Sequence, residues 1–228
     1  MLNLSTDEAS PSARTDIHAY CHAYCPGEPS GSPGSLLVQQ GSIVLFGEAR
    51  LRGTFRIAEG CLCLSLPLAT GRRQILDILG PGRLISADLS GIGQCGAVAL
   101  APTRLDALDP TPENRAATDA LRQMLARARA HATLLGRKTM TERVAFALLD
   151  LAEQFAPPGK RGAGEVAFSL HLTRADLADW LGLTLSTVSR CLNAFKQQGL
   201  IAFDNPKRIA IRDRDGLAAL ASGASVRA

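Results

Sequence analysis

The sequence predicts an α+β fold in three successive parts: an N-terminal β-roll, a long helix and a C-terminal winged helix-turn-helix. Short apolar runs broken by glycines fill residues 35–109, and a helical apolar period then continues over residues 110–137. Two short capped helices joined by a glycine turn, followed by a basic hairpin, lie within residues 138–214. A flexible arm, residues 1–34, is expected before these parts and a tail, residues 215–228, after them.

Composition and charge narrow the class of protein. The 228 residues are 46% apolar, but no apolar run reaches the roughly 18 residues of a membrane span. The polar, acidic N-terminus does not resemble a secretory signal, so a cytoplasmic protein with reduced cysteines is expected. Net charge is +4, and residues 158–228 carry ten Lys and Arg against six Asp and Glu. This excess suits a nucleic-acid surface, although an ordinary solvated surface would also explain it.

The roll is predicted from three stretches, "SLLVQQGSIVLFG", "GTFRIAEGCLCLSLPLATGRRQILDILGPGRLIS" and "AVALAPTRLDALD". "LATGRRQ" is expected to form a hairpin turn between two strands. Cys61 and Cys63 alternate with Leu62 and Leu64 along one strand, so the two cysteines share a face and are interpreted as small core residues.

The long helix should begin with Thr111 as its N-cap and Pro112 at the first helical position. Its apolar positions recur with helical spacing for some six turns: Leu121, Met124, Leu125, Ala128, Ala132 and Leu135. Such a stripe between two domains usually packs against a partner, so this is interpreted as a dimerisation helix. Packing against its own roll is the alternative. A second helix, opened by a Thr139 and Glu142 capping box, should follow.

The stretch "LTRADLADWLGLTLSTVSRCLNAFKQQGLIAFDNPKRIAIRD" predicts a helix-turn-helix. Thr173 and Asp176 form a capping box for a short helix, and Gly182 supplies a tight turn. Thr184 can cap a second helix that ends at Gly199. Two short helices joined by a three- or four-residue turn containing glycine are typical of this motif.

The second of these helices has two distinct faces. Its inward face is apolar: Val188, Leu192 and Phe195. Its outward face, with the N-cap, carries short polar side chains and one arginine that suit a major groove: Thr184, Ser186, Ser189, Arg190 and Asn193. Two strands around a basic turn follow as a wing, whose Lys207 and Arg208 are expected to contact phosphates. The residues therefore predict binding to double-stranded DNA.

Taken together, these segments resemble the Crp/Fnr superfamily of bacterial transcription regulators, from about Leu36 to Arg212. The stretches "LLGRKTMTERVAFALLDLAEQF" and "LTRADLADWLGLTLSTVSR" are most similar to its Fnr/FixK branch. The resemblance implies a cupin-like roll as effector domain and a homodimer that binds a two-fold symmetric DNA site. It also implies an activator that contacts RNA polymerase in oxygen- or redox-linked gene control.

Ser189 and Arg190 match the Ser-Arg pair of the Fnr/FixK branch. The resemblance implies that Arg190 reads a guanine and that Ser189 contacts a neighbouring base, expected to be thymine. Ser186 departs from the pattern, because relatives usually carry glutamate there to accept from a cytosine amino group. We therefore expect weaker discrimination at that base pair.

The repeated unit "HAYCHAYC" supplies nitrogen and sulfur donors suited to zinc or iron, at His18, Cys21, His22 and Cys25. The Fnr branch holds an iron–sulfur cluster with three N-terminal cysteines and one in the roll, but this arm offers only two. The unit can instead share ligands with its copy in a dimer or combine with Cys95. The alternatives are a haem ligand at Cys25, a surface arm with incidental Cys and His, and regulation by synthesis without any cofactor. Cyclic AMP is not expected, because the matching stretch "LGPGRLISADLSGIGQCGAVALA" lacks the glutamate and the Arg-Ser pair that would hold it.

No catalytic motif accompanies these features. The sequence has no phosphate loop, no Gly-x-Ser-x-Gly elbow and no His-Glu-x-x-His pair, so an enzyme is not expected. A ligand-binding module whose helix-turn-helix contacts protein is the remaining rival. Steep loss of DNA affinity with rising salt would distinguish a true DNA contact.

Overall fold

The computed structural model describes most of the chain, namely residues 34–45, 53–86, 96–108, 115–157, 159 and 165–223. The predicted N-terminal arm and the predicted Thr111 cap lie outside these residues. Among the described helices, none is both long enough and apolar enough to cross a membrane.

Six antiparallel strands form the predicted roll: β1 (Ser35–Val38), β2 (Ile43–Leu45), β3 (Thr54–Pro67), β4 (Arg73–Leu79), β5 (Leu84–Ser86) and β6 (Gly96–Leu108). The sheet order is β1-β6-β3-β4, with β2 also paired to β6 and β5 to β3. The predicted hairpin lies between β3 and β4, where the Leu68 amide donates to the Arg72 carbonyl at 2.8 Å. The fold class predicted from the sequence is thus confirmed for the roll.

Strand β3 is buried on both of its faces. Leu62 and Leu64 pack inside the roll, whereas Cys61 and Cys63 pack into a second cluster that also contains the helices that follow. The prediction that both cysteines are core residues is confirmed, since each is 0% exposed. Burial raises the pKa of both thiols, that of Cys63 to about 12, so both are protonated at neutral pH.

The long helix α1 (Ala116–Arg137) both contacts its own roll and leaves apolar surface uncovered. Arg127 Nε donates to Asp77 Oδ2 of β4 at 2.5 Å, which ties the helix to the sheet. Leu121 and Leu125, two members of the predicted stripe, remain 48% and 47% exposed. The stripe borders a cavity of about 480 Å³ between α1 and the roll.

Helix α2 (Met140–Phe155) follows after a two-residue link, and its predicted capping box is confirmed. Thr139 accepts from the Glu142 amide, and Glu142 Oε2 accepts from the Thr139 amide at 3.2 Å. Strand β7 (Val166–Ser169) was not predicted from the sequence. It pairs with a strand of the wing, in a sheet of order β7-β9-β8.

The helix-turn-helix and its wing follow as α3 (Arg174–Leu181), α4 (Leu185–Gln197), β8 (Ile201–Asn205) and β9 (Arg208–Ile211). The prediction of a tail from residue 215 is wrong for most of that segment. Residues Arg214–Ser222 form helix α5, in which Asp213 is the N-cap and Leu217 is fully buried. Because α5 packs against α2, it completes the core of the DNA-binding domain.

Candidate nucleic-acid interface

Local sequence determines how the recognition helix α4 is set against α3. Gly182 ends α3 with φ +61°, a left-handed conformation that favours glycine. Thr184 then caps α4, and its Oγ1 accepts from the Thr187 amide at 3.2 Å. Both caps agree with the sequence prediction, as does the buried inner face of α4 at Val188, Leu192 and Phe195.

Arg143 of α2 holds the turn of the motif against the end of α1. Its Nη1 donates to the Leu181 carbonyl at 3.0 Å and its Nη2 to the Leu135 carbonyl at 2.8 Å. Its Nε donates to the Lys138 carbonyl at 2.9 Å. One guanidinium therefore satisfies carbonyl groups at the C-terminal ends of α1 and α3 and in the link between α1 and α2.

The outward face of α4 carries the residues predicted to read bases. Thr184, Ser186, Arg190 and Asn193 are exposed, and Ser189 is half-buried. Arg190 Nε donates to the Ser186 carbonyl at 3.4 Å, which lays the arginine stem along the helix. An arginine flanked by hydroxyl groups presents donors in a fork that matches the two acceptors on the guanine edge.

Ser189 is engaged within the protein by a residue that sequence reasoning missed. Arg174, the first residue of α3, donates from Nη1 to Ser189 Oγ at 3.3 Å. Its guanidinium also lies over the ring of Phe203, 5.7 Å from the centroid. The signal in the sequence that could have identified Arg174 is its position directly after the Thr173 cap, because the N-terminus of α3 lies beside the middle of α4.

The wing is held to α4 by a second cation on the same ring. Lys196 Nζ donates to the Phe203 carbonyl at 3.0 Å and lies 4.7 Å from the ring centroid. Lys207 and Arg208, both exposed, lie at the turn between β8 and β9, where Asn205 Oδ1 accepts from the Lys207 amide at 2.9 Å. Phe203 therefore joins α3, α4 and the wing through two cation–π contacts.

The structure leaves the predicted DNA-binding side chains of α4 exposed or half-buried and the basic turn of the wing exposed. Phe203 joins the wing to α4, so three contributions are available to DNA: hydroxyl and amide groups of α4, Arg190, and the basic turn of the wing. Short polar groups and an arginine suit base edges, whereas flanking lysines and arginines suit phosphates. Arg174 and Lys196 add two cations that sequence reasoning did not include.

The predicted metal ligands, His18, Cys21, His22, Cys25 and Cys95, all lie outside the described residues. Within the described part of the chain, no group of three or more His, Cys, Asp or Glu side chains is arranged to hold a metal ion. Cys61 and Cys63 are fully buried core residues, and burial raises the pKa of both thiols. Cys191 is half-buried in α4, and burial raises its pKa as well.

A β-roll, a long connecting helix and a winged helix-turn-helix define a DNA-binding regulator with an N-terminal β-roll domain. Comparison with known proteins supports this class. The Crp-like helix-turn-helix domain family matches residues 142–220. The nitrogen fixation regulation protein FixK of Azorhizobium caulinodans is 33% identical over 189 residues, which span 78% of this chain and 75% of the relative.

Two further relatives agree with this match. The transcriptional activator protein FnrL of Cereibacter sphaeroides is 31% identical over 191 residues, which span 77% of this chain and 75% of FnrL. The structure of FixK2 from Bradyrhizobium japonicum has a TM-score of 0.66 and 27% identity, covering 85% of this chain and 98% of that chain. The chain belongs to the Crp/Fnr family, as a FixK/Fnr-like DNA-binding transcription regulator.

Proposed function

We propose that the chain acts as a homodimer in the cytoplasm, binds a two-fold symmetric DNA site and activates transcription through contact with RNA polymerase. The observation that carries this proposal is the exposed recognition face of α4, together with the uncovered apolar stripe on α1. Leu121 and Leu125 are about half exposed. Large apolar side chains that form a continuous exposed stripe usually mark an interaction surface. A second copy of α1 is the occupant we propose for that stripe.

Oligomeric state tests the dimer directly. A Leu121→Glu/Leu125→Glu variant should sediment as a monomer, because it places charge in the proposed helix–helix contact. Gln123 lies on the opposite side of α1, so Gln123→Glu is the matched control and should remain dimeric. A wild-type protein that sediments as a monomer throughout the micromolar range would contradict the proposal.

In the proposed complex Arg190 donates to O6 and N7 of a guanine, and Ser189 contacts a neighbouring thymine. Ser189 must then leave Arg174, which is free to turn toward a phosphate. Ser186 has no carboxylate to accept from a cytosine amino group, so we propose weak discrimination at that base pair. Binding selections test this: a strong cytosine requirement there, or a Ser186→Glu variant with unchanged preference, would contradict it.

We further propose an oxygen- or redox-linked input, with the Cys/His unit of the N-terminal arm as the sensor. The first support is the set of nitrogen and sulfur donors in that unit. The second is the similarity to FixK, a nitrogen fixation regulation protein, and to FnrL, a transcriptional activator protein. The alternatives are a metal- or haem-responsive regulator and one without a cofactor, controlled by its own synthesis.

Purification without oxygen, followed by analysis of metal and sulfide and an absorbance spectrum, distinguishes these inputs. Iron and sulfide that are present in wild type and absent from a Cys21→Ala/Cys25→Ala variant would support the sensor. A haem spectrum or bound zinc would support the first alternative. Apo-protein that binds its symmetric site with full affinity in air and without air would support the second.

A further inference from the structure

Strand β4 and the turn that follows it contact all three of the helices that connect the apolar stripe of α1 to the DNA surface. At its first residue, Arg73 Nε donates to Asp179 Oδ2 of α3 at 2.9 Å, and Arg73 Nη2 donates to Asp176 Oδ1. Gln74 Nε2 donates to the Asp179 carbonyl at 2.9 Å. The start of β4 is therefore tied to the first helix of the helix-turn-helix by side-chain and backbone hydrogen bonds.

Asp176 makes this contact part of the helix-turn-helix itself. One of its carboxylate oxygens, Oδ2, accepts from the Thr173 amide at 2.8 Å in the capping box of α3. The other oxygen accepts from Arg73. Arg73 is thus joined through Asp176 to the N-terminus of α3, where the neighbouring Arg174 contacts Ser189 of the recognition helix.

The same strand is tied to α1 at its centre. Asp77, four residues after Arg73, accepts from Arg127 Nε of α1 at 2.5 Å. The two side chains are 18% and 13% exposed, so this pair is largely shielded from water and its geometry is restricted by packing. At a rise of about 3.3 Å per residue, the ties to α1 and α3 lie about 13 Å apart along β4.

A third tie joins the turn after β4 to α2. The Gly80 amide donates to Gln154 Oε1 at 2.7 Å, and Arg83 Nη2 donates to Asp150 Oδ1 at 2.6 Å. A Cβ atom at Gly80 would lie 2.7 Å from the Phe155 ring, which shows how closely the chain approaches α2 directly after the strand. We call residues 73–83, which are β4 and the turn after it, together with these three sets of contacts, the β4 strap.

The link between α1 and the DNA-binding domain explains why such a strap matters. Lys138 and Thr139, which connect α1 to α2, are extended, with ψ values of 142° and 166°. Rotation about a two-residue link would swing α3 and α4 as one body. Contacts remote from the link, such as those of β4, oppose that swing with greater leverage than contacts beside it.

We infer that the β4 strap, through Arg73 as a positioning residue, sets the separation and angle of the two recognition helices, and hence the half-site spacing that the dimer accepts. The inference rests on the homodimer proposed above. One added base pair turns a half-site by about 34° and moves it by about 3.4 Å, so a rigid dimer discriminates strongly between spacings. A dimer in which the strap contacts are broken binds duplexes of different half-site spacing with similar affinity.

The test measures affinity for duplexes that differ only in the spacing of two identical half-sites, after selection from a random pool has given the preferred site. Wild type should bind the preferred spacing about tenfold or more tightly than spacings one base pair longer or shorter. In Arg73→Met, which keeps an aliphatic stem, this ratio should fall to about threefold or less, with unchanged affinity for a single half-site.

The matched control is Arg104→Met, because Arg104 also makes two ion pairs but within the roll, with Glu59 and Asp106. It should keep the wild-type ratio. Asp179→Ala provides a second variant if Arg73→Met unfolds at a lower temperature, since it removes one partner of Arg73 and leaves the Asp176 capping box intact. It should relax spacing in the same direction.

The outcomes separate this inference from the proposal beneath it. If wild type discriminates between spacings and both strap variants discriminate equally well, the inference is overturned and the dimer stands. It is overturned also if Arg104→Met relaxes the spacing as much as Arg73→Met. If wild type binds a symmetric duplex no better than a single half-site, both the dimer and the inference are wrong.

Discussion

Replacing Arg143 tests whether one guanidinium holds the helix-turn-helix to the end of α1. Arg143→Met keeps the length of the side chain but removes the donors to the carbonyls of Leu135, Lys138 and Leu181. A hydrogen bond to a charged group contributes about 1.5–3 kcal/mol, which gives an upper limit of roughly 4.5–9 kcal/mol for three. Water can reach part of this site, so we expect a loss of about 2–4 kcal/mol in the free energy of unfolding.

Urea unfolding followed by circular dichroism measures this loss, with the slope of the transition as a check that the unfolded state is unchanged. Arg143→Lys should be intermediate, because an ammonium group cannot reach three carbonyls in a planar fork. The control is Arg122→Met, since Arg122 is 73% exposed and 3.5 Å from Asp119; it should change stability by less than about 0.5 kcal/mol. A loss below about 1 kcal/mol in Arg143→Met would refute the reasoning.

The remaining predictions concern DNA reading, backbone strain and pH. Arg190→Ala should lose about 1–3 kcal/mol of DNA-binding free energy and relax the specificity at one base pair, whereas Lys207→Ala should weaken binding to all sequences alike and lower the slope of the salt dependence by about one. Fluorescence anisotropy titrations against duplexes with single base substitutions measure both effects, and equal behaviour of the two variants would contradict the assignment. Gly60→Ala should lower the free energy of unfolding by well over about 2 kcal/mol, because φ is +90° and the new Cβ would lie 2.3 Å from the Pro102 carbonyl oxygen. Gly71→Ala, with φ +76° but open space around it, should lower it by about 1 kcal/mol. Thermal melts compare the two, and equal losses would argue against the clash. Burial lowers the pKa of His131 from 6.5, so the unfolded chain binds the proton more readily, and the free energy of unfolding should fall as the pH drops below 6.5. Urea midpoints measured between about pH 5 and 8 should fall less in His131→Gln than in wild type. An identical fall would exclude His131 as a cause.

Features set by neighbouring residues could be predicted from the sequence. The Thr173 and Thr184 caps and the Gly182 turn depend on contacts within three or four residues, so their patterns are legible without the fold. The same holds for the outward polar face of α4, which follows from helical period alone.

Features set by tertiary contact could not be predicted. Strand β7 has four residues and exists because β9, some forty residues later, pairs with it. Helix α5 has a cap at Asp213 and buries Leu217, but its small apolar residues become a core face because α2 lies beside them. The cation–π cluster at Phe203 was missed because its members come from three separate elements.

The two buried faces of β3 limit how this protein can be rebuilt by recombination. Leu62 and Leu64 complete the inside of the roll, while Cys61 and Cys63 on the other face are part of the core shared with α2 and α3. A roll cut away from the rest of the chain would expose that second face, and a foreign roll would have to match it. Exchange of the roll between such regulators is therefore constrained by the core that the roll shares with α2 and α3. New sensing functions are more readily acquired at the edges of the roll than by replacement of the roll itself.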